Sequence, residues 1–154
     1  MRDFLQYWKV DQADVNRGSP LNHAASTQFD RVSPGDMLWI VTIRYRRFKL
    51  LGRLRVEKIV SQKEAELQLG KDIYPAELHA IAVPGTVESL SEIDIQDLAE
   101  MLRFNSVRDR LALDDAGGVD GKQIQTLREL NPESARLLSE RWGKRSVTYK
   151  EITR

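Results

Sequence analysis

The amino-acid sequence predicts an α+β protein in which a small curved sheet is covered by helices. Three observations lead there. Strand-like patterns crowd the first half of the chain and helix-like ones the second. Residues 37–43 are apolar on both faces, as in a strand buried inside a barrel or under a helix. The 154 residues, 41% of them hydrophobic, suffice for one core and are too few for two full domains.

The elements follow in order. Residues 4–9, with Phe4, Tyr7 and Trp8, alternate loosely as a strand. Asp11, Asp14, Asn16 and Gly18 supply a polar turn after it, and Asp11 or Asp14 is a candidate cap for a short helical turn. Leu21, Ala24, Ala25 and Phe29 are spaced for one face of a short helix over residues 21–31, which ends before Pro34. Ser33, Pro34, Gly35 and Asp36 read as a turn, because Pro34 presets one central position and Gly35 tolerates a positive φ at the next. Met37, Trp39, Val41 and Ile43 then face one way, and Leu38, Ile40 and Thr42 the other.

A basic hairpin leads into a second strand, where Leu54 and Val56 alternate with Arg53 and Arg55 until the period slips near Glu57 and Lys58, a sign of a β-bulge. Gly52 marks a bend or a close backbone approach. Residues 62–69 form a modest helix stopped by Gly70. Residues 76–83 read as a strand closed by Pro84 and Gly85, with a short strand over 87–90. Ile95, Leu98, Ala99 and Leu102 share one face of an amphipathic helix over 95–104, with Asp94 as its N-cap. Residues 114–121 form a flexible loop; helices follow over 122–130 and 132–142, the second opened by Pro132 after Asn131. The basic, polar tail from Gly143 is expected to fray.

Composition excludes several kinds of chemistry. The chain has no cysteine, which removes disulfides, thiolate metal sites and cysteine nucleophiles. Phosphate-loop, dinucleotide-binding, zinc-protease and serine-hydrolase motifs are missing, and two histidines, His23 and His79, do not make a histidine-rich metal centre. Asp114 and Asp115 are the most obvious carboxylate pair, but adjacent aspartates before Gly-Gly read as a solvated loop. No catalytic residue, metal or cofactor is expected. No apolar run is long enough to span a bilayer and the first residues lack a signal-peptide core, so a soluble cytoplasmic protein is expected.

Binding residues are easier to find. Net charge is only +1, but Arg44, Arg46, Arg47, Lys49, Arg53, Arg55 and Lys58 crowd one hairpin, while Glu88, Glu92, Asp94, Asp97 and Glu100 make a later segment acidic. The cations, interleaved with Tyr45 and Phe48, suit a phosphate backbone; they equally suit a solvated hairpin edge. Trp8 and Trp39 are candidates to stack a flipped base, with core packing the stronger role for Trp39 on its apolar strand face. Asn22, His23 and Ser26 form a compact polar group that suits either edge recognition or a structural hydrogen bond.

The order of an aromatic strand (FLQYW), the stretch LNHAASTQFDRV, the turn and strand SPGDMLWIVTI, the strand LLGRLRVEKIV, and later Leu102, Arg103 and Phe104 resembles the PUA-like superfamily, and within it the EVE domains and their YTH relatives. The likeness spans residues 3 to 104. It implies a curved barrel of five to six strands over residues 1–106, flanked by short helices, with a helical extension over 107–154 packed on the same domain.

It also implies a non-catalytic reader that accepts a modified or flipped base of DNA or RNA, as in bacterial defence proteins where such modules are joined to nucleases. The strand end over residues 8–11 and the segment over 22–26 would line the base pocket, with Trp8, Asp11, Asn22, His23, Ser26 and Trp39 as its residues, and Arg44, Arg46, Arg47, Lys49 and Arg53 would hold the backbone. Ala24 and Ala25 stand where a YTH domain carries an aromatic cage residue, which favours a pocket for modified cytosine over methyl-adenine. The C-terminal helices would dock an effector protein or complete the fold. The alternative reading is a protein-interaction module using an exposed stripe of Leu127, Leu130, Leu137 and Leu138.

Overall fold

The computed structural model describes residues 1–145 and has an α+β architecture built on a seven-stranded sheet. The strands are β1 (Asp3–Tyr7), β2 (His23–Ser26), β3 (Met37–Arg44), β4 (Arg47–Ser61), β5 (Leu78–Ala82), β6 (Ile93–Asp94) and β7 (Arg128–Leu130). The helices are α1 (Val10–Val15), α2 (Gln62–Leu69) and α3 (Pro132–Gly143). Strand order is β2-β5-β4-β3-β1-β7, with β6 added on β4. No helix among the described residues is long and apolar enough to cross a membrane.

The turn at residues 33–36 forms as its chemistry dictates. Gly35 has φ 92°, the Asp36 N–H donates to the Ser33 carbonyl, and the buried Asp36 carboxylate accepts from the Ser33 and Arg2 backbone N–H groups. That fixes the entry of β3, which lies parallel to β1 and antiparallel to β4. The two-sided apolar pattern of β3 reflects burial on both faces. Trp39 and Val41 pack with Phe48 and Leu50 in one cluster, while Leu38 and Ile40 pack with Leu51, Leu54 and Val56 in another.

β4 is 15 residues long and serves two partners, β3 along its first part and β5 along its last. Its register shifts opposite Ile40 and Val41, and again between Val56 and Lys58, where the sequence pattern slips. Gly52 lies at the bend, and a Cβ there would sit 3.0 Å from Leu21 Cδ2 and 3.1 Å from Leu90 Cδ2. α2 is capped by the Ser61 hydroxyl, which accepts from the Glu64 N–H, and ends at Gly70 with φ 97°.

Several expected elements take other forms. Residues 23–26 are not helical but form β2, paired with β5 from His23 opposite Ile81 to Ser26 opposite Leu78. The edge of β5 offers this segment a ladder of backbone hydrogen bonds, and in so short a segment the helical preference of Ala24 and Ala25 does not offset the cost of helix nucleation. Only a single 3-10 turn, Phe29–Arg31, remains of the expected helix.

Residues 87–90 make one isolated bridge, Pro20 to Ser89, instead of a strand. Residues 95–104 hold a 3-10 turn at Gln96–Leu98 and no α-helix. Ile95, Leu98, Ala99 and Leu102 are nevertheless all buried, so the apolar face was legible although the helix was not. β4 pulls this segment out of helical register, since the Ile95 N–H donates to the Phe48 carbonyl and Gln96 Oε1 accepts from the Phe48 N–H.

The expected helix over 122–130 is replaced by a 3-10 turn, Gly121–Ile124, and by β7, which pairs antiparallel with β1. α3 forms as expected. Asn131 Oδ1 accepts from the Ser134 N–H at 2.8 Å, and Pro132 occupies the first turn. Its Leu138 and Trp142 enter the same cluster as Leu5 and Trp39, and Leu111 and Val119 of the preceding loops join them. Side chains from residues 107–145 thus join this core, with one α-helix where two were expected after the 114–121 loop. The last residues, expected to fray, lie within 146–154, outside the described residues.

The two ends of the sheet path are tied by side chains. Gln6 Nε2 of β1 donates to the Ala25 carbonyl of β2 at 3.0 Å, and Gln28 Oε1 accepts from the Leu127 N–H at 2.6 Å. Arg31 donates to the Leu127 carbonyl.

Candidate ligand-binding site

β1 alternates, so Phe4, Gln6 and Trp8 share a face, and Phe4 and Trp8 belong to the core cluster formed with β2 and β5. Beyond β1 the chain turns into α1, whose first turn carries Asp11 and Gln12. β2 runs nearby, with Asn22 just before it. Between them opens a cleft of about 570 Å³, whose walls include Trp8, Asp11, Gln12, Asn22 and His23, with Tyr74 at its edge. A second space of about 420 Å³ adjoins it, bordered by Gln6, Ser26, Gln28 and Gln125. Trp8, Lys9, Gln12, Ala25 and Tyr74 are common to both.

Of the six expected pocket residues, the structure brings five to this cleft: Trp8, Asp11, Asn22 and His23 in the first lobe, Ser26 in the second, and Trp8 again between them. Trp39 is the exception. It is 2% exposed on the opposite face of the sheet, in the cluster with α3, and its Nε1 donates to Asp3 Oδ1 at 3.0 Å. Its place on β3 sends the indole away from the cleft, so Trp39 is core.

The expected phosphate contacts change more. Arg44 donates to Glu92 Oε2 at 2.8 Å and to Asp14 Oδ1 at 2.5 Å. Arg46 pairs with Asp114 at 2.5 Å, Arg47 and Lys49 share Asp94 at 2.7 and 3.1 Å, and Arg53 meets Glu88 at 2.7 Å. All five cations are therefore matched by carboxylates, three of which come from the acidic segment that the sequence shows separately. β6 lies antiparallel on β4, with Asp94 opposite Lys49, and this register brings the two charge runs together. The hydrogen bond from Arg47, helped by the Gln96 N–H and Lys49, holds the Asp94 carboxyl well below the usual carboxylate range. Of the seven cations on the hairpin, Arg55 and Lys58 are the two without an ion pair among the described residues, and Arg55 donates to the Gly35 carbonyl.

Asp114 is likewise occupied, accepting from the Gly118 N–H at 2.6 Å, the Ala116 N–H at 3.0 Å, and Arg46. It organises its own loop, and no group of three or more His, Asp or Glu side chains converges for a metal ion among the described residues.

Sequence reading left Gln6, Gln12 and Tyr74 out of the pocket, whereas Lys9 lies in the strand end, residues 8–11, that the resemblance places there. Gln6 is 7% exposed, a polar residue at the inward position between Phe4 and Trp8, and that break in the apolar alternation is the signal that marks it. Lys9 is exposed and makes no ion pair among the described residues. Gln12 follows Asp11 in α1. Tyr74, 59% exposed, lies in an irregular segment with no periodicity to announce it.

His23 is held by more than the cleft. Its ring stacks on His79 of β5 with centroids 5.8 Å apart and planes 30° apart, and its Nδ1 lies 3.1 Å from Asn22 Oδ1. His79 is fully buried. Its Nε2 lies 2.5 Å from Gln62 Oε1; that oxygen already accepts from the Ala76 N–H, so the imidazole nitrogen is the donor. Burial holds both imidazoles below their ordinary pKa, and for His23 the neighbouring His79 adds to the effect. His23 therefore enters the cleft wall as a neutral ring.

Comparison with known proteins finds no match to this chain, whether among protein-family models, curated proteins or solved structures.

Proposed function

We propose that this chain is a non-catalytic nucleic-acid reader of PUA-like, EVE-type architecture that accepts a modified or flipped base in the cleft between Trp8 and β2. The observation that carries the reading is that cleft: an indole wall, a neutral imidazole with Asn22 beside it, and a lysine on the lining that makes no ion pair among the described residues. Rings provide stacking, Asn22 and Asp11 provide donors and acceptors for a base edge, and Lys9 provides the charge that a phosphate requires. The side-chain ties between the ends of the sheet, Gln6 to Ala25 and Gln28 to Leu127, support a curved barrel.

Backbone contact moves in this reading from the ion-paired hairpin cations to Lys9, which borders the cleft without a carboxylate partner among the described residues. Chemistry on the nucleic acid would then belong to a separate effector in the cytoplasm. The alternative of a protein-docking leucine stripe loses its basis, because Leu127, Leu130 and Leu138 are buried in the core and Leu137 packs against it.

Filter binding at low salt, on DNA and RNA oligonucleotides with and without base modification, tests the proposal. Tighter binding of a modified set, weakened by Trp8→Ala or Asn22→Ala, is the expected result. Failure of the protein to retain any oligonucleotide would remove it.

A further inference from the structure

The cleft has two lobes, and each alone falls within the ~300–1,000 Å³ of a complete small-molecule site. Resting on the nucleic-acid reading above, we infer that the site takes two consecutive nucleotides of a single strand, one base in each lobe, with Lys9 on the phosphate between them.

The lobes differ in chemistry. Asp11, Asp72 and His23 border only the first. The second has no carboxylate on its walls, and Lys9, shared with the first, is its one cation. Four glutamines border it instead: Gln6, Gln12, Gln28 and Gln125. Gln12 and Gln125 present a donor and an acceptor together, the pattern that pairs with base edges, while Gln6 keeps its Oε1 and Gln28 its Nε2 clear of the ties to Ala25 and Leu127.

Two polar atoms at the boundary make the demand specific. Gln6 Oε1 and Trp8 Nε1 are buried and have no hydrogen-bond partner among the described residues, on side chains that are 7% and 5% exposed. An unpartnered buried acceptor on one side chain and an unpartnered buried donor on the other favour an uncharged partner that offers one of each.

The divide between the lobes is built for a linker. Lys9 borders both, is exposed, and makes no ion pair among the described residues. Tyr74 also borders both and offers a ring face at the mouth, where bases of a single strand stack without sequence preference. One base flipped from a duplex fills one lobe; filling both takes a strand whose neighbouring bases can splay apart.

Titration of the full chain, followed by tryptophan fluorescence and calorimetry, tests this. The probes are mononucleotides and dinucleotides of the four standard bases, 5-methylcytosine and N6-methyladenine, in ribo and deoxyribo forms, together with dinucleotides joined by an uncharged methylphosphonate. The best dinucleotide is expected to bind about tenfold or more tighter than its best mononucleotide half, since the second base binds at a high effective concentration. Lys9→Gln, at an exposed position, and the uncharged linkage should each erase most of that gain, so that dinucleotide affinity falls towards that of the mononucleotides. The tighter of the two sugar series identifies the polymer. Equal affinities for mononucleotides and dinucleotides, with binding present, would overturn the two-lobe site and leave a one-base reader standing. Absence of binding to every probe would overturn both.

Discussion

The Arg44 guanidinium meets the Glu92 carboxylate edge to edge, with Nε donating to Oε2 at 2.8 Å and Nη2 to Oε1 at 2.9 Å. Asp14 of α1 receives the remaining face of the same guanidinium. One side chain at the end of β3 thus joins three segments that lie far apart in sequence. Arg44→Gln should destabilise the fold by about 1–3 kcal/mol, the range for hydrogen bonds to charged groups. Urea unfolding measures this. Low-salt affinity for oligonucleotides should stay within twofold or so, because a guanidinium held by two carboxylates does little for a phosphate. A large loss of affinity with unchanged stability would restore the hairpin as the phosphate surface.

Gly52 is set by packing and not by φ. A side chain there runs into Leu21 and Leu90, which also border the first lobe of the cleft. Gly52→Val should cost about 1–3 kcal/mol through overpacking. Chemical denaturation reports that cost, and a changed tryptophan emission from Trp8 would report the shifted wall.

The histidine pair makes stability depend on pH. An unfolded imidazole takes up its proton near pH 6.5, whereas His23 and His79 in the fold take it up only at lower pH. Glu66 and the backbone at Ala76 pull His79 the other way without cancelling burial. Below pH 6.5 the unfolded chain therefore binds more protons, and the stabilisation present above that pH is lost as pH falls through the folded values. The midpoint of thermal unfolding should drop between pH 7 and 5, above the range where carboxylates titrate. In His79→Leu that slope should shrink, whatever the absolute midpoint.

Leu138 is fully buried between α3 and the sheet. Leu138→Ala should cost about 2–5 kcal/mol, and removal of the cap by Asn131→Ala about 1 kcal/mol. Both are read by denaturant midpoints. A Leu138→Ala protein of unchanged stability would return the C-terminal leucines to a docking role.

Local chemistry was the part of the fold that the sequence made legible. The turn at Gly35, the two-sided β3, the slip before Lys58, α2 ending at Gly70 and α3 starting at Asn131 all depend on residues near one another in the chain. β2, β6 and β7 are two to four residues long and owe their form to distant partners, so no window of sequence contains the cause. The charges illustrate the same limit. Both runs were visible, yet only the pairing of Asp94 opposite Lys49 shows that they cancel. Within the cleft, Trp8, Asn22, His23 and Ser26 were candidates by their own chemistry, and the family resemblance joined them to the strand end that carries Lys9 and Asp11, whereas Tyr74 needed the fold to bring it in.

The position of β1 between β3 and β7 bears on how the chain is made. β1 is translated early and completed late, since its inner neighbour begins at Met37 and its outer neighbour at Arg128. Until Leu130 has left the ribosome, one side of β1 presents unpaired N–H and C=O groups to whatever is near. A nascent chain stopped before Arg128 carries that open edge permanently, so premature termination products should associate through β1, while the full-length protein closes the edge with its own β7.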